Sequence, residues 1–94
     1  MSSEGIANTE DQDWFVYLLE CADGTTYIGA TKDVDRRVRE HNEGIGARYT
    51  RGRRPVVLLG SMRCTTHGDA LRQERRLKAL RPQARREAFR TERA

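Results

Sequence analysis

The sequence predicts a small α/β fold of the α+β type, in which a three-stranded antiparallel sheet is flanked by helices. Two β-rich runs, near residues 15–20 and 26–31, are separated by a short turn, which is typical of a β-hairpin. An apolar run at 56–62 supplies a third strand, and its continuous apolar character predicts cover on both faces. Stretches at 33–42 and 67–80 repeat apolar residues at helical spacing.

The turn of the hairpin decides which side chains share a face of the sheet. A two-residue Asp-Gly turn would place Tyr17 and Tyr27 on opposite faces. A three-residue loop, with Gly24 in the left-handed conformation, pairs Tyr17 with Gly29 instead and brings both phenols to one face. The sequence is compatible with both turns. We predict the three-residue loop because it places the two phenols together.

The first predicted helix, over 33–42, has Asp33 as its N-cap. At helical spacing, its apolar face contains Arg37 and His41. A cation and an imidazole within an apolar stripe are the first indication of a functional site.

The helix predicted over 67–80 begins after Thr65 or Thr66 and carries a carboxylate where a core residue is expected. Glu74 falls on the same stripe as Leu71 and Leu77. A carboxylate in a half-buried stripe is costly unless it pairs with a cation or binds a metal. Glu74 is therefore a candidate metal ligand, and a structural ion pair with Arg37 is the alternative. Pro82 is compatible with a final helix to about residue 89.

Charge is divided unevenly along the chain. Residues 1–35 contain eight acidic residues and one basic residue, whereas 36–94 contain six acidic and seventeen basic residues. A strongly basic half indicates a polyanionic partner such as a nucleic acid, and a solvated arginine-rich surface is the alternative. The stretch 47–54, one helical turn or a loop, combines four arginines with Tyr49. Such a combination suits a surface that follows phosphates, although Tyr49 packed on the core is an equal alternative.

Length and composition predict one domain over residues 14–90. The polar, acidic stretch 1–13 lacks periodicity and is predicted to be a disordered tail. The sequence contains neither a membrane-spanning apolar run nor an evident signal peptide, so we expect a cytoplasmic protein. Cys21 and Cys64 are expected to be reduced thiols.

Several spaced motifs of this chain resemble those of the GIY-YIG endonuclease superfamily. Tyr27-Ile28-Gly29 matches the second half-motif, and Val16-Tyr17-Leu18 is a degenerate form of the first. Arg37 and His41 match the family's helix positions. The match continues through the motifs at 46–51, 54–56 and 70–78, the last of which resembles the family's metal-binding helix. The resemblance covers roughly residues 13–81, most of the chain.

This resemblance implies a metal-dependent endonuclease that hydrolyses phosphodiester bonds in DNA, in repair or recombination. It implies a metal ion, Mg²⁺ or Mn²⁺, bound by Glu74, and no small-molecule cofactor. It favours Tyr17 as the base, Tyr27 and His41 as support for proton transfer, and Arg37 as the partner of the scissile phosphate. The residues expected to contact nucleic acid are Arg48, Tyr49, Arg51, Arg53, Arg54 and Lys78.

A non-catalytic nucleic-acid-binding module that keeps the fold and the basic face is the second hypothesis. One departure from the family pattern bears on it. Nuclease members often carry a further asparagine near the C-terminus, and the segment 85–89 contains none.

Overall fold

A computed structural model describes residues 13–93, with side chains described as far as residue 90. The predicted disordered tail, apart from Asp13, lies outside the described residues. No helix in the described part is long and apolar enough to cross a membrane. The elements, in chain order, are β1 (Trp14–Glu20), β2 (Thr26–Thr31), α1 (Val34–Asn42), α2 (Arg48–Arg51), β3 (Val57–Cys64), α3 (His67–Lys78) and α4 (Pro82–Arg93).

The three strands form one antiparallel sheet in the order β2-β1-β3. This confirms the predicted fold class. In the hairpin, Tyr17 pairs with Gly29 and Leu19 pairs with Tyr27. Gly24 has a φ of 86°, a left-handed conformation that glycine adopts without steric cost. The three-residue loop is therefore the correct turn, and both phenols lie on one face of the sheet.

Alternation along β1 divides the core into two clusters, one on each face of the sheet. Val16 and Leu18 face α3 and α4, and their cluster includes Leu77 and Phe89. Tyr17 and Leu19 point to the opposite face, where the side chains of α1 pack against them. The helices therefore cover both faces, and the candidate catalytic tyrosines lie on the α1 side.

Local signals at the helix ends explain where the helices begin and end. Asp33 caps α1, because its carboxylate accepts a hydrogen bond of 3.1 Å from the backbone N–H of Arg36. Thr66, rather than Thr65, caps α3, because its hydroxyl oxygen accepts a hydrogen bond from the backbone N–H of Asp69. Gly44 follows α1 with a φ of 85°.

Two details of the predicted core are wrong. The strand β3 is not covered on both faces, because Val57 is 60% exposed at the edge of the sheet. Leu71 is 43% exposed, although it falls on the predicted apolar stripe of α3. A three-stranded sheet offers little room for two helices, and Phe89 of α4 takes part of the core space on this face. Ala70 and Leu77 are the residues of α3 that are buried.

Candidate active site

The hairpin and α1 bring three of the predicted catalytic side chains together. The ring centroids of Tyr17 and Tyr27 are 6.4 Å apart. The imidazole of His41 lies 5.9 Å from the Tyr17 ring and 5.3 Å from the Tyr27 ring. Tyr17 and His41 are almost completely buried, whereas Tyr27 is partly exposed. The two buried groups thus lie beneath a more accessible phenol.

The Tyr17 ring occupies the space that Gly29 leaves open. A Cβ atom added to Gly29 would lie 2.5 Å from the Tyr17 hydroxyl oxygen and 2.7 Å from Cζ. The phenol therefore extends from the central strand across β2, which carries its hydroxyl towards the free edge of that strand. The glycine of the Tyr-Ile-Gly motif is required by this close approach.

Replacing Gly29 with alanine is expected to displace the Tyr17 ring and to destabilise the protein by about 1–3 kcal/mol, the usual cost of overpacking a core. The free energy of unfolding, measured by denaturant titration, tests this expectation. Gly52→Ala is the matched control, because a Cβ atom at Gly52 would meet nothing within 4 Å. Equal free energies of unfolding for the two variants would show that the Tyr17 ring can move away from residue 29 without loss of stability.

A chain of buried hydrogen bonds connects Tyr17 to α2. The Tyr17 hydroxyl is 2.9 Å from His41 Nε2, and His41 Nδ1 is 2.8 Å from the Thr50 hydroxyl. Thr50 in turn donates to the Ala47 carbonyl oxygen at 2.9 Å. His41 and Thr50 are fully buried. Both ring nitrogens of His41 therefore have polar partners in a site without contact to bulk solvent.

Arg37 lies at the open side of the cluster. Its Nη1 donates to a carboxylate oxygen of Glu40 at 2.8 Å, and its guanidinium lies close enough to the Tyr17 hydroxyl to act on the pKa of that phenol. The hydrogen bond to Glu40 is the main reason that the pKa of Arg37 is raised. The alternative ion pair between Arg37 and Glu74 is absent among the described residues, where Arg37 pairs with Glu40. Its partly exposed guanidinium keeps donors available for an anion.

Burial shifts the pKa values of Tyr17 and His41 in opposite directions, and each shift favours the neutral form of its group. Desolvation raises the pKa of Tyr17 to about 12, although the nearby Arg37 guanidinium acts to lower it. Burial also lowers the pKa of His41 below its ordinary 6.5, and the charge of Arg37 adds to this effect. At neutral pH the site therefore holds a protonated phenol beside a neutral imidazole.

Glu74 lies on α3, close enough for its charge to contribute to the raised pKa of Tyr17. Its side chain is 19% exposed and pairs with Lys78 Nζ at 2.8 Å. The carboxylate lines a pocket of about 260 Å³. The described residues contain no cluster of three or more histidine, cysteine or acidic side chains suited to a metal. A single carboxylate nevertheless fits Mg²⁺, which commonly binds through one or two carboxylates plus water and substrate phosphate oxygens.

The predicted nucleic-acid contacts divide into two groups. Arg53 stacks on Tyr49, with its guanidinium 4.0 Å from the ring centroid, and also pairs with Asp23 at 3.1 Å. Arg54 donates to backbone carbonyl oxygens at Arg51 and Asn42. Lys78 is engaged with Glu74, as described above.

Arg48 and Arg51 are exposed on the single helical turn α2, and Arg51 also donates to the Gly46 carbonyl oxygen at 3.5 Å. The short element is thus the helical alternative of the two that the sequence allowed. Tyr49, between them, stacks on Tyr27 with a centroid distance of 5.8 Å and remains 38% exposed. This basic surface therefore adjoins Tyr27 and, through Tyr27, the Tyr17 ring.

Sequence reasoning missed three residues that hold the site together. Thr50 completes the buried chain. Asn42 ties the end of α1 to the sheet, because its amide both donates to the Val56 carbonyl oxygen and accepts from the Val56 N–H. A Cβ atom at Gly46 would lie 2.5 Å from His41 Nδ1, so this position must be small. Gly46 and Thr50 both fall within the motif at 46–51, which is the sequence signal that points to them.

The C-terminal helix α4 contributes one side chain, Arg85, that bridges two other elements. Arg85 donates to the Lys78 carbonyl oxygen at 2.8 Å and to the Thr26 hydroxyl at 2.9 Å. It thereby ties the end of α3 to the start of β2.

Comparison with known proteins gives a family match over most of the chain. The family model described as the GIY-YIG catalytic domain matches residues 13–87. A UPF0213 protein of Nitratidesulfovibrio vulgaris is 54% identical over 68 residues, which are 72% of this chain and 62% of that protein. The match thus spans less than two thirds of that relative. A UPF0213 protein of Halobacterium salinarum is 54% identical over 65 residues, covering 69% of this chain and 84% of the relative.

Two solved structures agree with the fold. The NMR structure of the UPF0213 protein BH0048 from Bacillus halodurans is 41% identical, covers 81% of each chain and gives a TM-score of 0.51. The NMR structure of protein EF2693 from E. faecalis is 33% identical, covers 84% of each chain and gives a TM-score of 0.59. These names state no activity for either protein.

Proposed function

Because this chain belongs to the GIY-YIG family, we propose that it is a divalent-metal-dependent endonuclease that hydrolyses phosphodiester bonds in DNA, with repair or recombination as its setting. One observation carries most of the proposal. The buried Tyr17 hydroxyl is hydrogen-bonded to His41, and the charges of Arg37 and Glu74 both act on it. A tyrosine buried only to fill the core does not need an imidazole at its hydroxyl group and a guanidinium beside it.

Hydrolysis requires a water molecule that loses a proton as it attacks phosphorus. Tyr17 is the group that receives this proton, and it can do so only as the phenolate. Its pKa of about 12 makes the free phenolate rare at neutral pH, so its own proton must have an acceptor. His41 Nε2, at 2.9 Å and on a neutral ring, is that acceptor.

Arg37 and Tyr27 assist this transfer. The Arg37 guanidinium stabilises the phenolate that forms beside it and offers its remaining donors to a phosphate oxygen. The Tyr27 ring packs edge-on against His41 and leaves its own face partly exposed. From this position its hydroxyl orients the attacking water.

The metal enters the proposal through Glu74, which would hold Mg²⁺ or Mn²⁺ together with water and phosphate oxygens. The bound ion supplies stabilisation of charge on the reacting phosphate and on the leaving oxygen. Lys78 must release Glu74 for this to happen. Because Lys78 is 51% exposed, its ion pair contributes little to stability and its release is cheap.

The basic surface of α2 is proposed to bind the phosphate backbone. Replacing Arg48 or Arg51 with glutamine is expected to weaken DNA binding and to lower the slope of log K against log salt concentration by about one unit each, because each contact displaces counterions. Fluorescence anisotropy with a labelled duplex at several salt concentrations measures this slope.

Two control variants separate phosphate contacts from general charge. Arg90→Gln removes one positive charge from α4, whose buried Phe89 packs on the opposite face of the sheet, and should leave the slope unchanged. Arg53→Gln should mainly lower the free energy of unfolding and change the slope little, because Arg53 contacts Asp23 and Tyr49. A slope reduced equally by all four variants would show that binding follows net charge alone.

Nicking of a supercoiled plasmid tests the proposed activity. The wild-type protein should nick the plasmid in Mg²⁺ and not in EDTA, and Tyr17→Phe purified in parallel should nick it far more slowly. Salt-dependent binding by both proteins, without nicking by either, would contradict the enzyme assignment. That result would support the non-catalytic nucleic-acid-binding module instead.

A further inference from the structure

His41 can accept the Tyr17 proton only in one of its two neutral tautomers. In the Nδ1–H form, Nε2 carries a lone pair directed at the phenol. In the Nε2–H form, the ring would itself donate to the Tyr17 oxygen and could take no proton there. The group that contacts Nδ1 therefore decides whether the site can work.

Thr50 is the strongest partner of Nδ1. Its hydroxyl oxygen is 2.8 Å from Nδ1 and also 2.9 Å from the Ala47 carbonyl oxygen. A carbonyl oxygen can only accept, so the single hydroxyl proton of Thr50 is directed at Ala47. The Thr50 oxygen is then left as an acceptor, and Nδ1 must be the donor.

We propose that Thr50 is a positioning residue that holds His41 in the Nδ1–H tautomer, so that Nε2 accepts the Tyr17 proton. This inference rests on the proposed nuclease function. Complete burial of Thr50 and His41 supports it, because neither group can exchange its partner for bulk water.

A second group, the backbone N–H of Ala47, competes with Thr50 for His41 Nδ1. The backbone N–H of Ala47 also points at Nδ1, at 3.4 Å. That N–H can donate only to an unprotonated Nδ1, so it favours the Nε2–H tautomer, which cannot accept the Tyr17 proton. It is the longer of the two contacts, so the Thr50 oxygen decides the tautomer while its hydroxyl is present.

The proton balance of the step is simple. The O–H bond of Tyr17 breaks and an N–H bond forms at His41 Nε2, which leaves a phenolate and an imidazolium. The phenolate then takes a proton from the attacking water. The imidazolium keeps its Nδ1–H bond to Thr50 throughout, so the ring need not rotate.

The experiment compares the wild type with Thr50→Val and Thr50→Ser. The first variant keeps the shape but lacks the hydroxyl, and the second keeps the hydroxyl. Long-range ¹H–¹⁵N spectra assign the tautomer of each ring without substrate. The chain has only two histidines, and the exposed His67 serves as the reference ring. Single-turnover cleavage of a DNA duplex in Mg²⁺ gives the rate.

The wild type and Thr50→Ser should show Nδ1–H at His41, and Thr50→Val should show Nε2–H. Cleavage by Thr50→Val should be about 10- to 100-fold slower, with Thr50→Ser within a few-fold of the wild type. An Nε2–H tautomer in the wild type, or an unchanged tautomer in Thr50→Val, would overturn the inference. The wild-type spectrum alone decides this if Thr50→Val does not fold. An Nδ1–H wild type without any cleavage would overturn the nuclease proposal, and with it the catalytic meaning of Thr50.

Discussion

Replacing Tyr17 with phenylalanine is expected to slow DNA cleavage by about 10²- to 10⁴-fold, the usual contribution of a positioned acid–base group. The variant keeps the ring that packs over Gly29 but loses the oxygen that is hydrogen-bonded to His41. The loss should appear in the rate of the chemical step, measured under single-turnover conditions, and not in DNA affinity.

Tyr49→Phe is the matched control for this change. It removes one phenolic hydroxyl from the same aromatic stack but leaves the ring of Tyr49 against Tyr27. Its cleavage rate should stay within a few-fold of the wild type. If Tyr17→Phe were as active as Tyr49→Phe, the base would have to be another group.

The pH dependence of the reaction follows from the same two residues. His41 accepts a proton only when neutral, and its pKa lies below 6.5 because burial disfavours the imidazolium. The rate should therefore remain level as pH falls to about 6.5 and decrease only at lower pH. A rate that decreases already between pH 8 and pH 7 would contradict a neutral, buried His41 as the acceptor.

Replacing Glu74 with glutamine is expected to abolish cleavage and to remove the stabilisation of the fold by Mg²⁺. For the wild type, Mg²⁺ at ten times its Kd should add about 1.4 kcal/mol to the free energy of unfolding, because it binds only the folded state. Without metal the variant should lose less than about 1 kcal/mol, since the partner of Glu74 among the described residues is the half-exposed Lys78. Thermal melting with and without Mg²⁺ measures both effects.

Lys78→Gln is the control that breaks the same ion pair and keeps the carboxylate. It should retain the Mg²⁺-dependent rise in melting temperature. Strong destabilisation of the metal-free Glu74→Gln protein, together with no Mg²⁺ effect on the wild type, would make Glu74 an architectural residue. The enzyme proposal would then lose its metal site.

The hairpin was predictable because its signals are local. Gly24 allows the left-handed turn, and the turn fixes the pairing of Tyr17 with Gly29. Alternation along the strands then determines the face on which each phenol lies. The N-cap at Asp33 and the face that carries Arg37 and His41 depend on equally local rules. Most of the candidate site follows from these few residues.

The parts that sequence reasoning missed depend on contacts between distant segments. Nothing near Thr50 in the chain indicates that its hydroxyl meets His41, because α2 must first fold back onto α1. Phe89 was assigned to the end of a final helix, yet it is 1% exposed and fills the core beneath the sheet. Because Phe89 fills this part of the core, Leu71 of α3 remains partly exposed to solvent. Helical periodicity identifies an apolar stripe but not how much of it a neighbouring helix displaces.

Cleavage in ¹⁸O-labelled water tests the central claim most directly, namely that this site activates water to hydrolyse a phosphodiester. A DNA duplex is incubated with excess wild-type protein and Mg²⁺ for a single turnover, and the products are analysed by mass spectrometry after a denaturing quench. We predict one ¹⁸O atom in each newly formed terminal phosphate and no DNA bound covalently to protein. Products without label, a covalent adduct at Tyr17, or intact DNA under these conditions would contradict the account.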